Sequence, residues 1–242
     1  MVCQLLAGLG VSFGDPADLL PGDRWNAGGY LEAKPVMDVN SRIITGLSRF
    51  GSRPGAFFAK LAYLGMPGPA TIAARAERQR AAVEELGRRY RSCAVKDPRF
   101  CLTLRWWHEW THVQAVVVCM RQPADVVASL ARRHHLPRWL GARFYAWHVD
   151  SLLAQLPGLR VAFVDVDALA ADDAAELDSL RTELGLSAGP PSARLLADVV
   201  KPELYASANG ASPAAGAATA AWRRLGEAAA ARRRRPADVE GR

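Results

Sequence analysis

The segment Val116-Val-Val-Cys-Met-Arg121-Gln-Pro123-Ala-Asp-Val-Val-Ala-Ser129-Leu constrains the fold more than any other part of the chain. A valine-rich run of strand length, Val113 to Met120, leads into an arginine, and Pro123 then marks a helix start. The proline ring fixes φ near the helical value, and the N–H it lacks is one that a first helical turn leaves unused. A strand without polar alternation is buried on both faces, which points to a parallel strand feeding a helix. The residue leaving such a strand faces the N-terminus of the next helix, where ligands bind in open α/β sheets. Free N–H groups and the positive end of the helix dipole attract an anion there; Arg121 adds a bidentate fork, and Ser129 a hydroxyl two turns on. A phosphate is the expected guest. The competing role for Arg121 is to cap a cluster of carbonyls, with Ser129 on the surface.

The rest of the chain repeats the alternation. Apolar spacing predicts helices over Val2 to Leu9, Pro35 to about Leu47, Pro69 to Tyr90, Pro123 to His134, Arg138 to Leu156, Asp173 to Leu184 (with Gly185 as its stop) and Ser192 to Val200. Short strands are expected at Cys93 to Lys96, stopped by Pro98, at Val113 to Met120 and at Arg160 to Val164. The stretch from Arg49 to Gly68 reads as irregular. The fold class is therefore α/β, a parallel sheet with helices on both faces. Residues 1–205 form the folded domain, 206–221 an Ala/Gly/Ser linker and 222–242 a basic helix or tail.

Length and balance agree with one globular domain: 242 residues, 50% hydrophobic and 23% charged. No run is long and apolar enough for a membrane span, and the start MVCQLLAGLG lacks a basic secretory leader, so a cytoplasmic protein is expected. Cys3, Cys93, Cys101 and Cys119 form no CxxC pair and read as reduced core thiols. The net charge of +7 is uneven: from Trp222 onward seven arginines face Glu227, Asp238 and Glu240, leaving +3 for the body. That is too little to imply a nucleic-acid partner and enough to suit a small anion.

Lys96-Asp-Pro-Arg99-Phe-Cys-Leu, followed by Val116 to Ser129-Leu-Ala-Arg-Arg133, resembles the bacterial type of the sulfotransferases that use 3′-phosphoadenosine 5′-phosphosulfate (PAPS). Upstream, Leu5 to Gly14, Asn26-Ala-Gly-Gly-Tyr-Leu-Glu32 and Asn40 are similar to that family's pattern. Downstream, so are Phe163-Val-Asp-Val-Asp-Ala-Leu169 and Leu180 to Leu186. The resemblance spans about Val2 to Leu204 and implies a P-loop-like sheet. It also implies that Arg121 and Ser129 grip the donor's 3′-phosphate, and that a sulfuryl group passes to a hydroxyl of a small molecule or sugar without a metal. The family's Gly-rich phosphosulfate loop lies between its first strand and first helix, and this sequence begins within that helix. The expectation is a reading frame that starts upstream of Met1, with the first strand and the loop missing as written. The alternative is a non-catalytic remnant that keeps half of a nucleotide site.

The resemblance further implies that Lys96 stabilises charge on the bridging oxygen of the leaving phosphate; its competing role is an ion pair with Asp97. Many members carry a histidine base two residues after this lysine, and here Pro98 stands there. Members acting on sugars take a carboxylate from the loop after the first helix, which makes Glu32 the candidate base and Asp97 the reserve. Glu32 could equally cap the helix beginning near Pro35.

His108-Glu109-Trp110-Thr111-His112 fits HExxH and raises a zinc hydrolase as a second class. A zincin carries that motif in mid-helix with a third ligand downstream, whereas here a strand follows at once, so no metal is assigned. Trp106, Trp107 and Trp110 either line an acceptor pocket or pack on the sheet. Arg232 to Arg235 read as a solvated tail, with a binding module as the third functional class.

Overall fold

The computed structural model describes residues 1–23, 29–200 and 216–234. They form two compact units: Met1–Gln114 with Gly185–Val199, and Ala115–Leu184 with the C-terminal helix. Asn26 to Gly28, most of the expected linker and the end of the arginine run lie outside the described residues.

The first unit is helical: α1 (Val2–Gly8), a 3-10 turn (Pro16–Asp18), α2 (Lys34–Thr45), α3 (Arg53–Leu64), α4 (Pro69–Glu77), α5 (Arg80–Arg89), α6 (Phe100–Trp110) and α11 (Ser192–Val199). Its centre is α2, which packs against α3, α4, α5 and α6. Val36, Met37, Asn40, Ile43 and Ile44 recur at spacings of three and four and are fully enclosed. In the same unit α1 meets α11, with Gly8 at the crossing: a Cβ there would lie 2.5 Å from Leu195 Cδ1.

Three expectations fail in this unit. Cys93 to Lys96 is not a strand, because its backbone donors are spent locally: Cys93 N–H bonds to Tyr90 O at 2.9 Å and Ala94 N–H to Ser12 O at 2.8 Å. The helix expected over Pro69 to Tyr90 is two, broken where Gln79 N–H turns back to Ala76 O at 2.8 Å. The stretch read as irregular contains α3, whose breaker-like Ser-Arg-Pro-Gly start is a cap: Ser52 Oγ accepts from Gly55 N–H, and Pro54 sits in the first turn. A helix not anticipated, α6, begins where Asp97 Oδ1 accepts the Arg99 N–H at 3.0 Å.

The second unit holds the described sheet, two parallel strands: β1 (Val116–Met120) and β2 (Val161–Asp165). They pair in register from Val116 opposite Val161 to Met120 opposite Asp165. Each strand begins within three residues of expectation. Cys119 is exposed and Cys3, Cys93 and Cys101 are half-buried, against the reading of core thiols, and no disulfide joins the four. The unit also holds α7 (Pro123–His134), α8 (Arg138–Leu153), α9 (Val166–Ala170), α10 (Ala174–Leu184) and α12 (Gly216–Arg233), with α9 packed on β1 and α10 on β2. α7 has the expected bounds, with Pro123 at its start, Asp125 in its first turn and Arg132, Arg133 and His134 in its last, all matched to the helix dipole. Gly185, with φ +72, follows α10 in the left-handed conformation expected of a stop.

The basic C-terminal segment is not a solvated tail over its described part. α12 starts at Gly216 and buries Ala218, Ala221, Leu225 and Ala229, a stripe at spacings of three and four, while packing on α8. Arg224 pairs with Asp150 at 2.6 Å and Arg233 with Glu176 at 2.9 Å. The chain is thus mixed α/β and mostly helical, with a small parallel sheet. No described helix is long and apolar enough to cross a membrane.

Candidate functional site

In the first unit the sequence brings Glu32 and Lys96 together across 64 positions. Leu20 N–H bonds to the Glu32 carbonyl at 2.8 Å, and the backbone passes through the left-handed region at Leu31, φ 52, before reaching Glu32. A left-handed leucine is uncommon and costs conformational energy. The Glu32 carboxylate, only 8% exposed, forms a direct ion pair with Lys96 Nζ, whose side chain is 37% exposed. Lys96 therefore pairs with Glu32 rather than with its neighbour Asp97, and it also lies 5.9 Å from the centre of the Tyr30 ring. Glu32 does not cap α2, whose N-cap is Ala33. Burial pushes the Cys3 thiol up, against the pull of Lys96.

Next to this pair is a closed polar cluster. Asn40, on α2 and fully buried, donates Nδ2–H to Asp97 Oδ2 at 3.0 Å. Its Oδ1 accepts from Thr103 Oγ1 at 2.9 Å and from Trp107 Nε1 at 2.8 Å, both on α6. Asp97 Oδ1 accepts from the Arg99 guanidinium at 2.8 Å as well as from its N–H. Burial pushes the Asp97 carboxyl up, while the Asn40 amide pulls against that rise. With its oxygens held by Asn40 and Arg99, and its side chain wholly enclosed, Asp97 cannot serve as the reserve base. Trp107 is part of this packing and Trp110 stacks under Arg80, whose guanidinium lies 5.3 Å from the ring. Both favour the packing role for the tryptophans.

His108 and Glu109 stand on the last turn of α6, His112 lies beyond its end, and all three are exposed. The helix stops before the second histidine can share a face with the first. Among the described residues no three His, Cys, Asp or Glu side chains converge as metal ligands.

In the second unit, parallel register carries the ends of β1 and β2 to the same edge. Arg121 leaves β1 there, and Asp167 stands in the first turn of α9 directly after β2. Asp167 Oδ1 is 3.9 Å from Arg121 Nε, and its Oδ2 accepts the backbone N–H of Gln122, the N-cap of α7, at 3.1 Å. Arg121 Nε is itself buried and makes no hydrogen bond. A carboxylate thus rests where an anion was expected, and the guanidinium beside it keeps an unmatched donor. Arg121 caps no carbonyl through this atom. Ser129 is half-buried on α7, six residues after Pro123 and so about 9 Å further along the helix axis.

Asn40 and the Phe163-Val-Asp-Val-Asp segment stand out in the sequence, yet nothing there assigns Asn40 as the hub of a buried cluster or Asp167 as the partner of Arg121. The signal for Asp167 was the acidic residue two positions past a strand end. No family model matches the chain, and neither a curated protein nor a solved structure is significantly similar to it.

Proposed function

We propose that the protein is a transferase of the PAPS-dependent sulfotransferase type, on a P-loop-like fold, moving a sulfuryl group to a hydroxyl of a small molecule or sugar. The observation that carries this reading is the buried Arg121 Nε without a hydrogen-bond partner, at a strand end where the backbone N–H of Gln122 already holds a carboxylate. A buried guanidinium donor left unmatched is costly in a chain with no ligand, and a phosphate oxygen would satisfy it. Arg121 and Ser129 would hold the 3′-phosphate of the donor, which supplies an activated sulfuryl group.

In the first unit, the resemblance assigns the chemical step to the Lys96–Glu32 pair. In the transfer, the acceptor oxygen bonds to sulfur, the bond from sulfur to the bridging phosphate oxygen breaks, and the acceptor's proton leaves for a base. Glu32 takes that proton, and Lys96 turns its ammonium to the departing oxygen, releasing the carboxylate it had paired. Such catalysis needs positioning and charge stabilisation rather than covalent participation of the protein.

The test is release of adenosine 3′,5′-bisphosphate from PAPS in the presence of phenols and sugars. Glu32→Gln is expected to lower turnover by at least about 100-fold, the usual worth of a general base, with donor binding unchanged. Full turnover in Glu32→Gln would remove the base assignment, and no sulfuryl transfer by the unaltered chain would favour a nucleotide-binding protein without catalysis.

A further inference from the structure

We infer that α3 and the loop before it dock on an anionic lipid surface. Among the described residues six large apolar side chains are exposed, and five of them fall within fifteen positions: Leu47, Phe50, Phe57, Phe58 and Leu61. Phe57 is 63% exposed and Phe58 and Leu61 56% each, so water covers more than half of every one. A contiguous apolar patch of this kind marks an interaction surface.

Helical spacing defines its shape. At about 100° per residue, Phe57, Leu61 and Phe58 occupy one arc of α3, opposite Ala59, the buried residue of the helix. Leu47 and Gly55 join Phe58, Leu61 and Ala62 in a shallow open groove along that side. Arg53 and Lys60 lie on the edge of the same arc, at i and i+7, and both are exposed. Cations at the border of an apolar arc are where a headgroup layer meets a helix lying in the interface plane, with their stems able to run along the apolar surface.

Charge decides between a lipid surface and a second copy of the chain. From Val39 to Ala76 there is no Asp or Glu; Arg42 is paired with Asp38 at 2.9 Å and Arg75 donates to the Ile44 carbonyl, which leaves Arg49, Arg53 and Lys60 as the exposed cations of α3 and the loop before it. Two such faces brought together would set like charges against each other without an acid to pair them, whereas an anionic bilayer complements them. The inference is independent of the proposed reaction.

Sedimentation of the full chain with phosphatidylcholine vesicles, with and without phosphatidylglycerol, tests it. Binding is expected to be at least about tenfold tighter to the anionic vesicles. Phe57→Ser with Phe58→Ser changes no charge and removes most of the apolar arc, so partitioning should fall at least about tenfold while thermal unfolding is unchanged. That pair separates α3 from the arginines near the C-terminus. In a second readout, Phe57→Trp should shift its emission to the blue on vesicle binding. Equal binding by the Ser variant, no binding to either vesicle, or a dimer in sedimentation velocity that the Ser variant abolishes would each overturn the inference; the last would assign the face to a second copy.

Discussion

The Asn40 cluster of the first unit and the Arg121 strand end of the second both bury charged or polar groups, and they treat them in opposite ways. Around Asn40, three side-chain hydrogen bonds and an arginine–aspartate pair match groups contributed by α2, α6 and the turn before α6. At Arg121 a buried donor has no hydrogen bond, and the nearest anion stands off at 3.9 Å. A matched network holds a fold together, whereas an unmatched donor carries a standing cost that a ligand can remove. The same residue type, arginine, is structural at position 99 and available at position 121.

The sharpest way to break this comparison is Asn40→Leu. It would leave Asp97 Oδ2 and Trp107 Nε1 without their partner in the interior, while Thr103 Oγ1 keeps its bond to the Arg99 carbonyl at 3.2 Å. The expected loss is about 4 kcal/mol of stability by urea denaturation, since each stranded buried group costs about 1–3 kcal/mol. A loss below 1 kcal/mol would mean that the cluster does not carry the first unit.

His148 gives the second unit its own half-buried titrating group. Burial pushes its pKa down, to about 4 from an unperturbed 6.5, while its Nδ1 bonds to Phe144 O at 2.8 Å. Because the folded pKa lies below the unfolded one, the unfolded chain binds the extra proton. Stability is full above about pH 6.5 and falls as the pH drops toward 4, by up to about 3 kcal/mol. The difference in stability between His148→Phe and the unaltered chain should shift in favour of the variant over that window. An identical pH dependence in both would contradict the assignment.

Asp167→Asn is expected to act in the other direction and by less. Asp167 holds the Gln122 N–H and would repel an incoming phosphate, so neutralising the side chain should strengthen binding of adenosine 3′,5′-bisphosphate by about 1 kcal/mol. Weaker binding would mean that Asp167 orients Arg121 rather than competing for it.

How much of this was legible in the sequence follows the range of the interaction. α7 could be read to the residue because its signals are local: a proline in the first turn, acid near the start, base near the end. α3 was missed although its signals are also local, because Ser-Arg-Pro-Gly has the composition of a loop and functions as a cap, and Phe57 and Phe58 point outward. The false strand at Cys93 to Lys96 has strand composition, yet Tyr90 and Ser12 take its donors, and no window of the sequence contains that competition. Among the candidate residues, the position of Arg121 at a strand end was readable from the valine run before it. The Glu32–Lys96 contact was not anticipated: the resemblance gave each residue a role, the ion-pair partner expected for Lys96 was Asp97, and 64 residues separate Glu32 from Lys96. The use of Asp167 as an internal anion depends on β1 and β2 ending in register, a property of the pairing rather than of either strand.

The central claim, that the end of β1 is built for a phosphate, is tested most directly by calorimetric titration with adenosine 3′,5′-bisphosphate and adenosine 5′-monophosphate. The bisphosphate should bind the unaltered chain more tightly. Arg121→Ala should remove about 1.5–3 kcal/mol of that binding, the worth of a charge-assisted hydrogen bond, and leave the monophosphate affected much less. Equal affinity for the two nucleotides, or an Arg121→Ala chain that still distinguishes them, would contradict the account.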